Sequence, residues 1–553
     1  MESVRDHLTG DPVIPVTDFI CRILPRLFGL WLAYRITRAV YNISPLHPLS
    51  RIPGPKLAAM SIMYEFWFDV VKFGRYSMEI KRMHDVYGPL VRISPNEVHC
   101  NDPSMVDEIY ASGGRRREKS AHWASSLAGP VAVSILTTID HDLHRRRRQS
   151  VANSFSRSAI SKLEPVIHAK VQRLCDKLLR YPSKKVFDVT SAYSCFTTDV
   201  ITDYCFGEPF GLLDQDGWEP NFRAPTNAMQ DAQPLFKFFP RHIGLRMYSL
   251  SWRKSVNLSS YNLIRGHVIP MNRYADRRNI KVGPEMAFFI KSITEDMPGR
   301  VIKAKEAVAS NLVRERTAVF EDILRSPALP ESDKSVYRLT GDGMILVSAG
   351  TETSAWTLTV ITYHLLTTPS IFDRLSRELA DMDPLNLSWA RLEKLPYLTA
   401  VILEGLRLSY GIAARLPRVA PDEDLVYRSH DGSGREYVIP RGYAIGMSTV
   451  ITHHDESIFR DSHRFLPERW LDANDERRPE LEKHMLSFSR GSRVCVGMQL
   501  AWCNLYLTTA SLMLRVFPRM ELYETTIDDV QYDHDAFVSR PKAGTKGVRV
   551  VMP

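Results

Sequence analysis

The sequence predicts a mainly α-helical protein with a minor β-sheet region, built as one large domain behind a short N-terminal leader. A long, largely apolar run over 341–367 stops before Pro369 and reads as a single helix. From about 160 to 330 the pattern is helical and amphipathic. Strand-type alternation is confined to short runs: Leu90–Ile93 and Val98–Cys100 flank a turn at Pro95 and Asn96, and Val548–Val551 is expected to close the same sheet system at the C terminus. No linker, low-complexity block or internal repeat divides the 553 residues after the first fifty.

Composition narrows the function. A chain with 44% hydrophobic and 24% charged residues can bury a sizeable core, and is neither disordered nor a polytopic membrane protein. Its seven cysteines, at 21, 100, 175, 195, 205, 495 and 503, are odd in number and contain no C-x-x-C pair, so neither a disulfide framework nor a zinc knuckle is expected. The net charge of +9 comes without any recognition motif, which argues against nucleic acid and for an anionic membrane or an acidic protein partner.

Residues 13–34 are about long enough to cross a bilayer at roughly 20 residues per span, but Asp18, Arg22, Arg26 and two prolines interrupt them. Single pass and interfacial helix both stay open, and no removable signal peptide is expected because no small-residue cleavage site follows. Arg35 and Arg38 just beyond would keep the rest of the chain in the cytosol. Pro45, Pro48, Pro53, Gly54 and Pro55 then form a stiff segment that cannot continue a helix. The boundary is therefore drawn between a leader, 1–44, and a globular body, 45–553.

The run Phe488 to Ala501 presents Cys495 on a glycine-flanked turn directly before an apolar helix. Gly491 and Gly497 are expected to take positive φ and let the backbone approach a flat ligand, while N–H groups at the helix start stabilise charge on sulfur. Arg493 is placed to meet an acidic group. The pattern F-S-x-G-x-R-x-C-x-G-x-x-L-A closely resembles the haem-binding loop of cytochromes P450. That resemblance implies haem b, with Cys495 as the axial ligand of its iron and Phe488 and Arg493 against the cofactor.

Four further motifs occur in the order expected of that family. Ala349-Gly350-Thr351-Glu352-Thr353-Ser354 puts polar residues in the middle of the apolar helix, where Thr353 can turn its hydroxyl onto the preceding turn and widen it. It resembles the oxygen-binding stretch of the P450 central helix. By that resemblance Thr353 holds dioxygen and relays protons, Glu352 feeds the relay, and Ala349 with Gly350 leaves room over the cofactor. Glu404 and Arg407 share a helix face, and together with Arg469 in Phe465-Leu466-Pro467-Glu468-Arg469-Trp470 they resemble the family's structural triad. His144 and Arg148, at i and i+4 in a basic run, resemble the helix that contacts a haem propionate, with histidine where tryptophan is common. Arg418 and Arg493 complete a set for two propionates, and Arg145, Arg146 and Arg147 read as a solvated face. The proline-rich segment HPLSRIPGPKLAA resembles the hinge of microsomal, especially fungal, P450s.

The resemblance thus runs from about residue 45 to the end. It implies a P450 fold and a monooxygenase that inserts one oxygen atom from O2 into a hydrophobic small molecule. Electrons would come from NADPH through a reductase, with cytochrome b5 as an optional second carrier, at the endoplasmic reticulum membrane with a cytosolic catalytic domain. Fungal secondary metabolites are the expected substrates, in the order terpenoid, polyketide, indole-type. The pocket walls are expected from 111–135, Ile345, Ala349, Ile412–Ala414, Ala536 and Phe537. Two alternatives remain: a P450 that rearranges an already oxidised substrate, and a haem-thiolate protein that binds a ligand without turnover.

Overall fold

Capping side chains set the starts of several of the longer helices in the computed structural model, which describes residues 16–127, 129–239, 284–311, 316–429 and 434–553. The N-terminal helix α1 spans Val16–Ile43 and contains Pro25. Helix α2 (His141–Ala152) begins at Asp140, whose carboxylate accepts the Leu143 N–H at 2.7 Å. Ser156 caps α3 (Arg157–Leu179), and Asp188 caps α4 (Val189–Phe206), which Gly207 ends in the left-handed conformation. Helix α5 covers Arg223–Phe238. Ser335 caps α6 (Val336–Thr367), and Pro369 starts the helix that follows it. Helix α7 spans Pro396–Ser409, and α8, Met498–Arg515, follows Gly497 directly.

Helix α4 corrects the amphipathic reading of 160–330, since all eighteen of its residues are buried. Several of its polar residues are met by α6, while Asp199 accepts the Leu212 and Leu213 N–H groups and Asp203 pairs with Lys170 and Arg316. Thr198 and Thr351 hydroxyls meet at 2.9 Å, Tyr193 and Thr362 at 2.7 Å, and Thr197 donates to the Thr351 carbonyl at 3.0 Å. Thus α6 runs through the centre of the main core, which α3, α4, α7 and α8 also build. Buried hydroxyls that satisfy one another cost little and fix register. The segment 240–283, part of the stretch read as helical, lies outside the described residues.

Twelve short strands form four small sheets among the described residues: β1 Leu90–Ser94, β2 Glu97–Cys100, β3 Glu118–Lys119, β4 Phe187–Asp188, β5 Arg418–Val419, β6 Leu425–Arg428, β7 Glu436–Ile439, β8 Ala444–Gly446, β9 Glu521–Leu522, β10 His534–Ala536, β11 Val538–Arg540 and β12 Arg549–Val551. The hairpin β1–β2 is antiparallel as expected and sits in a five-stranded sheet, β1-β2-β8-β5-β3. β12 does not join it. It pairs instead with β4 and β9 in a separate three-stranded sheet, because Val550 lies opposite Phe187 and Leu522. The proline segment is docked rather than free: the Pro53 carbonyl accepts the Arg92 N–H at 2.7 Å, and a side chain at Gly54 would strike the Arg92 carbonyl.

Candidate haem-thiolate site

The cysteine loop is held from both ends. Gly491 has φ +70, and any Cβ there would collide with the Tyr110 carbonyl, so this turn requires glycine. The Cys495 N–H donates to the Phe488 carbonyl at 2.9 Å, which closes the loop. Gly497 differs from expectation, with φ −84, and a Cβ there would meet only Cys495 Sγ, at an ordinary contact distance of 4.0 Å, so the backbone makes no demand for glycine at this position. Cys495 alone of the six described cysteines is accessible, and the surface it exposes faces a cavity of about 240 Å³ deep in the protein. Burial raises its thiol pKa, opposed by the Gly497 N–H and the Arg148 guanidinium. A metal at sulfur would reverse that balance by taking the thiolate outright.

Helix α6 forms the opposite wall with Ile345, Leu346, Ala349, Gly350, Thr353 and Ser354. The Thr353 hydroxyl donates to the Ala349 carbonyl at 2.8 Å, yet α6 is α-helical throughout, so the expected widening is not seen. Gly350 has a second duty: a Cβ there would come within 2.9 Å of Ile201 Cγ1, so it sets the approach of α4. Glu352 is buried on another side of the helix. Its Oε1 lies 4.0 Å from Arg540 Nη1, and it does not line the cavity. Of the expected pocket walls, Ile135, Ile345, Ala349 and Ile412 face this cavity, whereas Ala414 and Phe537 line a smaller neighbouring one with Trp123.

Lys119, His144, Arg148, Arg418 and Arg493 converge on the cavity, and none of its lining residues is an aspartate or glutamate. The four cations form no ion pair among the described residues and bond to neutral groups instead. Arg148 donates to the Val494 carbonyl at 2.6 Å, Arg418 to those of Leu416 and Pro417 at 3.2 Å, and Lys119 to that of Leu136. Arg493 is more engaged than expected, donating to the carbonyls of Arg117, Thr138 and Ile139 at 3.1, 2.6 and 2.6 Å. Burial holds Lys119 well below the usual lysine range, brings Arg493 down to about 9 and His144 to about 2, with the neighbouring cations adding to each. So much unpaired positive charge in a dry cavity fits a ligand with more than one carboxylate. Together with a sulfur donor and an apolar helix wall, it fits haem.

The sequence reading missed Lys119, hidden in the run Arg115-Arg116-Arg117-Glu118-Lys119; strand alternation on β3, which pairs Lys119 with Arg418, was the available signal. It also missed Trp470, whose Nε1 donates to Glu404 Oε2 at 2.9 Å. Glu404 otherwise behaves as expected. Fully buried, it takes Arg407 Nη2 at 2.8 Å, Arg469 Nε at 3.1 Å and the Leu466 N–H at 2.8 Å.

Comparison with known proteins agrees with this geometry. The family model described as Cytochrome P450 matches residues 53–258 and 328–545. The chain belongs to the cytochrome P450 family. It is 40% identical over 467 residues to the Cytochrome P450 monooxygenase ppzE of Metarhizium majus (strain ARSEF 297), covering 82% of this chain and 92% of that protein. It is 36% identical to the Tryptophan 6-hydroxylase fscE of Fusarium equiseti (91% and 92% covered), and 35% identical to the N-acetyltryptophan 6-hydroxylase ivoC of Emericella nidulans (strain FGSC A4 / ATCC 38163 / CBS 112.46 / NRRL 194 / M139) (96% of each). This P450 is accordingly an oxidoreductase of the monooxygenase type, with a haem-iron cofactor implied by its family and relatives in fungal secondary metabolism.

Proposed function

We propose that Cys495 is the thiolate ligand of haem b in an enzyme that inserts one oxygen atom from O2 into a hydrophobic fungal secondary metabolite. The observation that carries this reading is that Cys495 and Thr353 face one cavity whose rim holds four unpaired cations. Lys119, Arg148, Arg418 and Arg493 bind the two propionates, with His144 and Phe488 packed alongside. Haem supplies the iron at which O2 is activated, with electrons from NADPH delivered singly through a flavoprotein reductase or cytochrome b5. Thr353 holds a proton over the reacting centre, and Glu352, one residue before it, restores that proton. The apolar wall of α6, with Ile135 and Ile412, excludes water and fixes the substrate.

Two relatives are named for hydroxylating tryptophan derivatives, which favours an indole-type substrate over the terpenoid and polyketide classes. The leader 1–44 tethers the haem domain, 45–553, to the cytosolic face of the endoplasmic reticulum. No helix among the described residues is long and apolar enough to cross a membrane. Yet α1 exposes Leu27, Phe28, Leu30, Trp31 and Ile36, which suits a helix lying in the interface. Reduced protein under carbon monoxide tests the ligand assignment. The wild type should give the strongly red-shifted Soret band of a thiolate-bound carbonyl, and Cys495→Ala should lose it; a histidine-type spectrum from the wild type would end the reading. Cys503→Ala, buried on α8, should keep the band.

A further inference from the structure

A smaller cavity of about 40 Å³ adjoins the haem cavity, and the haem site uses none of its polar groups. The segment 411–417 divides the two: Ile412 and Leu416 line the large cavity, whereas Ala414, Arg415 and Pro417 line the small one. The Phe537 carbonyl accepts the Ala413 and Ala414 N–H groups at 3.1 and 3.3 Å, and Phe537 itself holds φ +69, a strained conformation for an aromatic residue. Its ring and that of Trp123, with centroids 6.1 Å apart, stand on the apolar side of the small cavity. The other side is charged, and its pairing is uneven. Arg415 donates to Glu97 and to Glu65, each at 2.6 Å, while Lys237 on α5 donates to Asp69 at 3.0 Å and to Glu65 at 3.4 Å. His122 Nε2 meets the other Glu65 oxygen at 3.0 Å. Asp535 on β10, half-buried, is met only by the hydroxyls of Ser77 and Tyr532 and forms no ion pair among the described residues. Four carboxylates thus face two cations, and a protonated His122 would still leave one negative charge over. Burial, with the Asp69 carboxylate adding to it, lifts the Asp535 carboxyl to about 6, and the two hydroxyls and Lys237 offset the rise only in part. An uncompensated carboxylate beside aromatic rings is the chemistry that takes an ammonium group.

We propose that this small cavity is the subsite for the charged end of the substrate, with Asp535 as the specificity-determining residue that takes an ammonium group. The proposal rests on the indole-type reading of the substrate and narrows it to an indole that carries a free amine. The ammonium donates to Asp535, whose two oxygens each keep a lone pair after the Ser77 and Tyr532 hydroxyls are served. The cavity has room for a group the size of a few waters, which admits an ammonium but not an acylated amine. The substrate's tail then passes Phe537, and its ring lies in the large cavity against Ile345, Ala349 and Ile412. Such an anchor fixes which ring carbon faces the cofactor, a choice that apolar walls alone make only loosely.

The test titrates the full-length haem-loaded enzyme with tryptamine, N-acetyltryptamine and indole-3-propionate, and reads binding from the Soret band rather than from turnover. The three probes share one ring and differ in carrying a cationic, a neutral or an anionic tail. The wild type should bind tryptamine at least about tenfold more tightly than either other probe, the worth of one charge-assisted hydrogen bond. The band should move to the blue, because an amine held at Asp535 does not reach the iron. Asp535→Asn, which keeps the size of the side chain, should close the gap between the probes with the carbonyl band unchanged. Equal affinities in the wild type, or a red shift from the amine of tryptamine on the iron, would overturn the subsite and leave the indole-type reading standing. A gap that persists in Asp535→Asn would overturn the role given to Asp535. If no probe moves the Soret band, the indole-type reading fails and the subsite with it. Should Asp535→Asn load no haem, the comparison of the three probes in the wild type decides alone.

Discussion

Two groups of buried charge sit close to the haem cavity, and they are built on opposite principles. Glu404, Arg407 and Arg469 are saturated by one another and by the protein: Arg407 alone donates to Glu404 and to the carbonyls of His453, Ser462 and Arg464. Lys119, Arg418 and Arg493 are buried too, and Arg148 half-buried, but none of the four has a counter-ion among the described residues. The first group is complete with the polypeptide alone, so its loss should damage the fold. The second is incomplete, so its charge is a liability until a ligand with carboxylates arrives. Burial thus separates architecture from binding only when the partners are counted.

Breaking the saturated group should have the largest effect. Glu404→Ala would leave two arginines buried without an anion, at a cost of about 3–5 kcal/mol. The expected outcome is almost no haem-loaded protein, measured as the carbonyl band per unit of purified chain. A conservative Glu404→Gln should fall between. The carboxyl of Glu404 is held below its ordinary range by Arg407 and Arg469 against the cost of burial. Its stabilisation is therefore present above the unfolded carboxylate range and disappears as pH falls through the lower folded value. Acid titration of the Soret band should follow that order, with haem retained in mild acid and released below the usual carboxylate range. Normal haem loading in Glu404→Ala would erase the distinction drawn between the two groups.

Replacing a member of the unpaired group should give effects of opposite sign in the two states of the protein. Lys119→Met removes a buried amine that has no anion beside it, only the Leu136 carbonyl and the Trp123 ring at 4.3 Å, so the haem-free protein should gain about 1 kcal/mol in denaturant unfolding. The haem-loaded protein should instead lose haem faster to an acceptor such as apomyoglobin. A variant that weakened both states alike would place Lys119 with Glu404 as architecture.

The same contrast explains what was legible in the sequence. The cysteine loop, the threonine of α6 and the Glu404 triad all depend on fixed local spacing, and each falls where its motif indicated. Gly497 does not take the positive φ expected of it, and Gly350, which lines the cavity as expected, also sets the approach of α4 at Ile201, a contact that only the folded neighbours reveal. Lys119 escaped because its neighbours, the Leu136 carbonyl and Arg418 on β5, are distant in sequence; Trp470 stands next to Arg469 and shares its partner Glu404, but the motif assigned that carboxylate to arginines alone. Distance in sequence also hid the pairing of β12, whose neighbours lie near residues 187 and 522. Glu352 was placed by adjacency to Thr353, but a step of one residue on a helix turns the side chain by about 100°, which takes its carboxylate behind the wall.

The smallest expected effect belongs to charges in neither group. Arg147 is fixed, its guanidinium 2.7 Å from Asp333 and 2.8 Å from the Thr138 hydroxyl, so the solvated face expected for the basic run shrinks to Arg145 and Arg146, both exposed. They start no chemistry and hold no haem. Their place on α2, the helix that also carries Arg148, makes them candidates for meeting an acidic reductase. Exposed charges are screened beyond about 8 Å at physiological salt, so reductase-supported turnover should fall as ionic strength rises. Reversing both with Arg145→Glu and Arg146→Glu should slow reductase-supported turnover and flatten its salt dependence, with the carbonyl band and peroxide-driven turnover unchanged. Equal losses under both electron sources would show that the pair supports α2 itself, and the boundary between solvated and working charge would then move out to the whole run.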